Sequence, residues 1–201
     1  ATQPMTVANT TFLVDRLGLD CAPLQFVREL TQNAIEAIAA RRASGWQDPG
    51  VIIWDVDWKL VEMHGLYKLQ ISDNGCGMTG RQIETYINSL SSSSGVQGYT
   101  NNFGVGAKIS AGKENPHGLV YKSWVDGNGV IATFWKDPVV GYGLRQYAVG
   151  DVYSHFAHVP DALKTAPIDA CGTSVTLLGA QEDENTYVKP DLKQKWLIQY
   201  L

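Results

Sequence analysis

Two polar side chains lie one helical turn apart in residues 26–37, which read FVRELTQNAIEA. Glu29 and Asn33 are four residues apart and Glu36 lies three further on, so all three share one side of a helix. The carboxylate of Glu29 can take a proton from water, and the amide oxygen of Asn33 can ligate a hard cation such as Mg²⁺. A solvated helix face contains the same residue types, so the pair by itself does not predict a site.

The helix that would position these side chains has an apolar stripe at three- and four-residue spacing, which is typical of a core-facing helix. We predict that it runs from Phe26 to about Arg42. It should end at Ser44-Gly45, because glycine is favoured just past a helix C-terminus and basic residues suit the last turn. The stripe consists of Phe26, Val27, Leu30, Ala34 and Ile38.

A glycine motif, Asp73-x-Gly75-x-Gly77, directly follows the predicted strand 66–72. Two glycines after an acidic residue indicate a tight turn in which the backbone comes close to another group. The carboxylate at the end of a buried strand can accept a hydrogen bond. An ordinary turn between a strand and a helix is the alternative interpretation.

A second glycine motif, Gly104-x-Gly106-x-Lys108, follows residues 89–102, which are rich in serine, glycine and asparagine. Long segments of this composition are typical of functional lids or flexible loops. A short helix is predicted to begin at the motif, and backbone N–H groups at a helix N-terminus suit anions. A flexible loop with a solvated lysine is the alternative interpretation.

Further strands and helices are predicted along the rest of the chain. Asp-Gly-Asn-Gly at 126–129 is the strongest hairpin signal, and Thr79 is a suitable N-cap for a helix over 80–90. Periodicity does not decide between a strand and a helical turn for 11–20. The predicted strands are 51–58, 66–72, 119–125, 130–135, 143–149 and 171–178, and further helices are predicted at 161–164 and after Pro190.

Composition limits the class of protein. The 201 residues are 44% hydrophobic and 18% charged, which suits one domain with a core. A net charge of −4 provides no long-range attraction to nucleic acid or anionic membranes. Three cysteines without a CxxC pair, and no apolar run long enough for a membrane helix, favour a cytoplasmic protein. The apolar end, WLIQYL, indicates that the natural chain continues.

Four pieces occur in order: the helical carboxylate–amide pair, the two glycine motifs, and Gly172-Thr173 opening a late strand. Over roughly residues 20–180 this order resembles the ATPase domain of the GHKL (Bergerat-fold) superfamily, closest in character to MORC-like or heat-shock-chaperone-like members. The resemblance implies an α/β (α+β) two-layer sandwich, with a mixed, mostly antiparallel sheet and helices on one face. It also implies that residues 1–201 are a single ATP-binding domain from the N-terminal part of a longer protein. The sequence has neither the P-loop nor the GxGxxG pattern.

The resemblance also implies roles for individual residues. Glu29 would be the general base and Asn33 the Mg²⁺ ligand. Asp73 would accept a hydrogen bond from the adenine amine, helped by the hydroxyl of Thr173. Glu36 stands where the family often has aspartate, so its side chain is one methylene longer there. The other positions expected to contact nucleotide are Gly75 and Gly77 beneath the base, Met78 beside it, and Gly104, Val105, Gly106 and Lys108 at the phosphates.

The implied function is Mg²⁺-dependent binding of ATP and its slow hydrolysis to ADP, coupled to lid closure and to conformational change or homodimerisation. The isolated domain should be a weak ATPase, because such domains often need a basic residue from a following transducer domain that this chain has little room for. Two alternatives stay open: an ATP-gated clamp or scaffold with negligible turnover, and a histidine-kinase-type catalytic domain. Glu29 favours hydrolysis over the kinase. Nucleic acid would be contacted only through other domains.

Overall fold

The computed structural model of the chain describes residues 10–22, 24–88 and 105–187. The α-helices of these residues are α1 (Thr10–Leu19), α2 (Gln25–Ala43), α3 (Trp58–His64), α4 (Gly80–Asn88) and α5 (Val105–Glu114). The strands are β1 (Ile52–Val56), β2 (Leu69–Asp73), β3 (Leu119–Val125), β4 (Asn128–Asp137), β5 (Gly141–Leu144), β6 (Tyr147–Val149), β7 (Val152–Ser154), β8 (Ala157–Val159) and β9 (Gly172–Leu177). A 3₁₀ turn covers Asp161–Leu163.

Most of the described strands form one antiparallel sheet in the order β1-β2-β9-β3-β4-β5, and β8 also pairs with β4. The late strand β9 lies between β2 and β3, so residues far apart in sequence meet in the centre of the sheet. Thr173 of β9 is directly opposite Asp73 on one side and Ser123 on the other. The strands β6 and β7 form a separate two-stranded sheet.

Helices α2, α4 and α5 pack with the sheet around one hydrophobic core. Because side chains alternate along a strand, Leu69 and Ile71 of β2 enter this core, and the intervening Gln70 does not. The protein is therefore an α+β fold with helices packed on an antiparallel sheet, as predicted. The buried residues of α2 are those of the predicted stripe: Phe26, Val27, Leu30, Ala34 and Ile38.

The strand predicted over 51–58 is too long at its C-terminal end. β1 stops at Val56, and the side chain of Asp57 caps α3 by accepting a hydrogen bond of 3.4 Å from the Leu60 N–H. An aspartate N-cap favours the start of a helix, and here it overrides the apolar alternation that continues to Trp58. The helix α3 then occupies most of the connection between β1 and β2, and these two strands pair antiparallel.

The single strand predicted over 143–149 is wrong. β5 ends at Leu144, and the next backbone N–H, that of Arg145, donates to the Thr133 carbonyl oxygen at 2.8 Å. The Arg145 guanidinium also lies over the Trp135 ring, 4.4 Å from its centroid. These contacts hold Arg145 beside the second half of β4, and the chain then pairs as β6 with β7. Alternation in the sequence cannot show this, because it depends on tertiary contacts.

The structure also decides the elements that the sequence left ambiguous or only outlined. Residues 10–19 form a helix, the turn at 126–127 joins β3 to β4, and the helix predicted at 161–164 is the 3₁₀ turn. Thr79 caps α4 as predicted, because its Oγ1 accepts from the Gln82 N–H at 3.4 Å. Residues 89–102 and the helix predicted after Pro190 lie outside the described residues.

Candidate functional site

One stripe of α2 contacts three other parts of the fold. Glu29, Asn33, Ala37 and Arg41 are spaced by four residues, so they follow one face of the helix. Glu29 meets the first turn of α5, Asn33 meets α4, and the last two meet the turn after β2. The stripe therefore connects all the motifs that the sequence singled out on the described part of the chain, except the start of β9.

The turn after β2 is held against the C-terminal half of α2. The Cys76 N–H donates to the Ala37 carbonyl oxygen at 3.0 Å, and Nη1 of Arg41 donates to the Asn74 carbonyl oxygen at 2.6 Å. Arg41 also pairs with Asp169 at 3.1 Å. These bonds fix the turn from one side.

Asp73 is the carboxyl group of this turn, and it is buried with 6% of its surface exposed. Its Oδ1 accepts a hydrogen bond of 2.8 Å from the Gly75 N–H. Burial raises the pKa of Asp73 to about 7, although hydrogen bonds from the Gly75 and Thr173 backbones and the charge of Arg41 lower it. Burial therefore outweighs the hydrogen bonds and the positive charge around this carboxyl group.

Both glycines of the first motif have close protein neighbours. A Cβ atom on Gly75 would lie 2.6 Å from Cβ and 2.7 Å from the carbonyl carbon of Ala37. Gly77 has a φ of 68°, and a Cβ atom there would collide with the Trp124 carbonyl oxygen. The turn is wedged between α2 and the central strands, so both positions need glycine for packing alone, whatever else approaches them.

Thr173 belongs to a chain of hydrogen bonds that crosses the sheet. Its Oγ1 lies 2.7 Å from Oγ of Ser123, and the Met78 N–H donates to the same Ser123 oxygen at 2.8 Å. Ser123 also donates to the Gly172 carbonyl oxygen at 3.2 Å. The predicted residues Thr173 and Met78 therefore come together with Asp73 at the ends of β2 and β9.

Asn33 lies at the middle of the stripe, half-buried, and its Nδ2 donates to the hydroxyl of Tyr86 in α4 at 3.2 Å. Among the described residues, its Oδ1 accepts no hydrogen bond. The Glu36 carboxylate, by contrast, has a hydrogen-bond partner on its own helix, because its Oε1 accepts from Gln32 Nε2 at 2.9 Å. An amide oxygen is a suitable ligand for Mg²⁺, which takes few protein ligands and fills the other positions with water and phosphate oxygens, so Asn33 fits that ion.

Glu29 lies against the N-terminal end of α5. A Cβ atom on Gly106 would collide with the carboxylate of Glu29, 2.9 Å from its Cδ. The first N–H groups of a helix have no partners within the helix, and the Glu29 carboxylate lies at this end of α5. Gly104 of the same motif lies outside the described residues, as does the side chain of Val105.

Lys108 is fully buried at this end of α5. Its Nζ donates to the Tyr86 carbonyl oxygen and lies over the Tyr86 ring, 4.5 Å from the centroid. Burial lowers the pKa of Lys108 to about 8. In this geometry the ammonium group joins α5 to α4. To contact a phosphate, it would have to bind the phosphate as well as Tyr86 or move away from Tyr86.

Three residues around the site had no role predicted from the sequence: Arg41, Tyr86 and Ser123. For Arg41 a signal was present, since the four-residue spacing that begins at Glu29 continues through Ala37 to it. Tyr86 and Ser123 reach the site only because α4 and β3 pack beside α2 and β9, and no local pattern marks them.

Within residues 10–22, 24–88 and 105–187, no group of three or more histidine, cysteine or acidic side chains is arranged to hold a metal ion. No helix in that part of the chain has the length and apolar character to cross a membrane.

No family model and no curated protein matches the sequence. Solved structures do match. One is the crystal structure of the 43K ATPase domain of Thermus thermophilus gyrase B in complex with an aminocoumarin, at 16% identity and a TM-score of 0.46. The match covers 86% of this chain but only 38% of that chain, so this chain spans well under half of its length. A likeness of this size carries no assignment of function.

Proposed function

We propose that this domain binds ATP together with Mg²⁺ along the stripe of α2 and hydrolyses it slowly. The observation that supports this most directly is the arrangement of the stripe. Asp73 and its turn are held at Ala37 and Arg41, and Glu29 meets the start of α5 two helical turns away. Eight residues of helix span about 12 Å, which suits a ligand with a base at one end and phosphates at the other.

At the base end, Asp73 accepts a hydrogen bond from the adenine amine, and the hydroxyl of Thr173 supports the same contact. Met78 lies beside the base. The burial of Asp73 excludes water from this contact, and a hydrogen bond in a water-excluded site discriminates well against bases that lack the donor.

At the phosphate end, the N-terminus of α5 supplies N–H donors through Gly104, Val105 and Gly106, with Lys108 adding positive charge. Glu29 holds and polarises the attacking water and takes its proton. Asn33 would hold Mg²⁺ through Oδ1, and the ion would offset negative charge on the phosphates. Lid closure, nucleotide-dependent dimerisation and dependence on a following transducer domain belong to the same proposal.

Titration calorimetry with ATP and Mg²⁺, followed by a turnover assay, tests both ends of the site. We expect Asp73→Ala to weaken ATP binding at least tenfold, because an adenine donor is left without its acceptor. The exposed Asp151→Ala is the control and should bind as the wild type does. Equal affinities of the Asp73 variant and the wild type would contradict the base assignment.

In the same experiment, Glu29→Gln should keep ATP affinity within about twofold and lower turnover by about 100-fold or more, since a positioned general base typically contributes that much. Glu62→Gln, on an exposed helix side, is the matched control. Unchanged turnover in Glu29→Gln would contradict its role as base. ATP binding without any turnover in the wild type would instead support the ATP-gated clamp.

A further inference from the structure

Tyr86 is a half-buried side chain that contacts both Asn33 and Lys108 in the phosphate half of the site. Its hydroxyl accepts the hydrogen bond from Asn33 Nδ2, and its ring lies under the Lys108 ammonium group. The ring also packs edge-on against Tyr121, with centroids 6.2 Å apart and an interplanar angle of 71°. Three elements thus hold one aromatic ring in a single position.

In the bond from Asn33 to Tyr86, the NH₂ end of the carboxamide faces the tyrosine hydroxyl. A carboxamide has one acceptor oxygen and one NH₂ donor. With the NH₂ group turned to Tyr86, Oδ1 faces away from that ring and, within the described part of the chain, has no hydrogen-bond donor. A flipped carboxamide would present NH₂ in its place, and an NH₂ group cannot ligate a cation.

We propose that Tyr86 is a positioning residue that orients Asn33 so that Oδ1 is directed to the divalent cation of a bound nucleotide. This inference rests on the proposed function. It assigns part of the protein's affinity for the cation to a residue that does not itself bind the cation. Hydrogen-bond partners of metal ligands typically contribute 10- to 100-fold to metal affinity.

The surroundings of Tyr86 keep its hydroxyl both neutral and fixed. Burial raises the pKa of Tyr86, with smaller contributions from Tyr121 and from the charge of Glu36, so the hydroxyl is not ionised at neutral pH. The Lys108 Nζ bond to the Tyr86 carbonyl oxygen holds the backbone of the same residue. Since buried side chains lose little further entropy on binding, an orientation fixed before the ligand arrives costs little when the cation binds.

The test compares Tyr86→Phe with Tyr121→Phe. Both variants remove one buried tyrosine hydroxyl from the same aromatic pair, but the Tyr121 hydroxyl has no hydrogen-bond partner among the described residues. ATP affinity is measured by calorimetry with excess Mg²⁺ and again with EDTA, and urea unfolding checks stability. We expect Tyr86→Phe to reduce the Mg²⁺-dependent gain in ATP affinity about tenfold, with unchanged affinity in EDTA. Tyr121→Phe should match the wild type in both conditions.

A double-mutant cycle with Asn33→Ala separates positioning from a general packing role. If Tyr86 acts through Asn33, the variant Asn33→Ala/Tyr86→Phe should lose no more Mg²⁺-dependent affinity than Asn33→Ala alone. Additive losses, or an equal loss with and without Mg²⁺, would overturn the inference and leave the proposed function intact. No ATP binding by the wild type in either condition would overturn the proposed function and this inference with it.

Discussion

At the scale of single residues, Asp73 combines two opposing requirements. The proposed contact with a base requires a carboxyl group that is shielded from water, yet burial disfavours its charged form. The fold supplies Asp73 with backbone donors at Gly75 and Thr173 and with the charge of Arg41, and these do not offset the burial. The protein therefore carries a carboxyl group that is destabilising when ionised, which is typical of functional positions.

The raised pKa of Asp73 predicts how stability changes with pH. The folded protein holds this proton up to about pH 7, whereas the unfolded chain releases it near pH 3.9, its ordinary value. The free energy of unfolding should therefore fall as pH rises from about 4 to about 7. The replacement Asp73→Asn removes the titration and keeps an acceptor for the Gly75 N–H.

Urea unfolding of both proteins between about pH 5 and about pH 8 measures this effect. The stability of the wild type relative to Asp73→Asn should drop by up to about 3 kcal/mol across the range. Taking the difference between the two proteins removes the contribution of other titrating groups. Parallel curves would show that Asp73 has an ordinary pKa in the folded protein.

At the scale of elements, the turn between β2 and α4 is fixed by close packing on two sides. Its glycines lie against the α2 backbone on one side and against Trp124 of β3 on the other. The proposed contact of this turn with a base would depend on such support, because a site held by packed elements keeps its geometry better than one on a free loop.

The substitution Gly77→Ala tests this close packing of the turn, and Gly65→Ala is its matched control. The two glycines have φ values of 68° and 69°, but an added Cβ meets Trp124 backbone atoms only at Gly77 and open space at Gly65. Gly65→Ala should cost about 1–2 kcal/mol for the left-handed backbone. Gly77→Ala should cost at least about 2 kcal/mol more, measured by urea unfolding, because the colliding atoms are backbone. Similar losses in the free energy of unfolding at the two positions would contradict the close packing of the turn against Trp124.

At the scale of the whole molecule, the sheet has an apolar face toward the helices and a buried polar cluster on the other. In this cluster Lys122 Nζ lies 2.9 Å from Asp57 Oδ2, and the same oxygen accepts from Gln70 Nε2 at 3.0 Å and from Thr176 Oγ1 at 2.8 Å. The cluster joins β2, β3 and β9 to the N-cap of α3. It stabilises the central strands whose ends form the candidate site.

The substitution Lys122→Met should lower the free energy of unfolding by about 3 kcal/mol or more, since it leaves the Asp57 carboxylate buried without its counter-charge. Lys136→Met is the control, because Lys136 pairs with Asp15 at a similar 2.8 Å but at the surface. Surface ion pairs contribute about 1 kcal/mol or less. Equal losses in the two variants would show that burial of the Lys122 pair is unimportant.

Much of the fold could be predicted because it depends on local patterns. Three predictions are confirmed: the apolar, buried stripe of α2, the Asp126-Gly127 hairpin and the Thr79 cap. Each depends on residues within a few positions of one another. The division of 143–149 between β5 and β6 could not be predicted, because it depends on contacts with β4.

The sequence by itself determined the helices α2, α4 and α5, most of the strands, and the residue types that could do chemistry, because periodicity and turn propensity are local. Only the tertiary structure decided which of those residues meet. The position of β9 between β2 and β3 brings Thr173 beside Asp73, and the packing of α4 and α5 on α2 brings Tyr86 to Asn33 and Gly106 to Glu29. Those contacts follow from burial of apolar faces over the whole chain, which no short segment encodes.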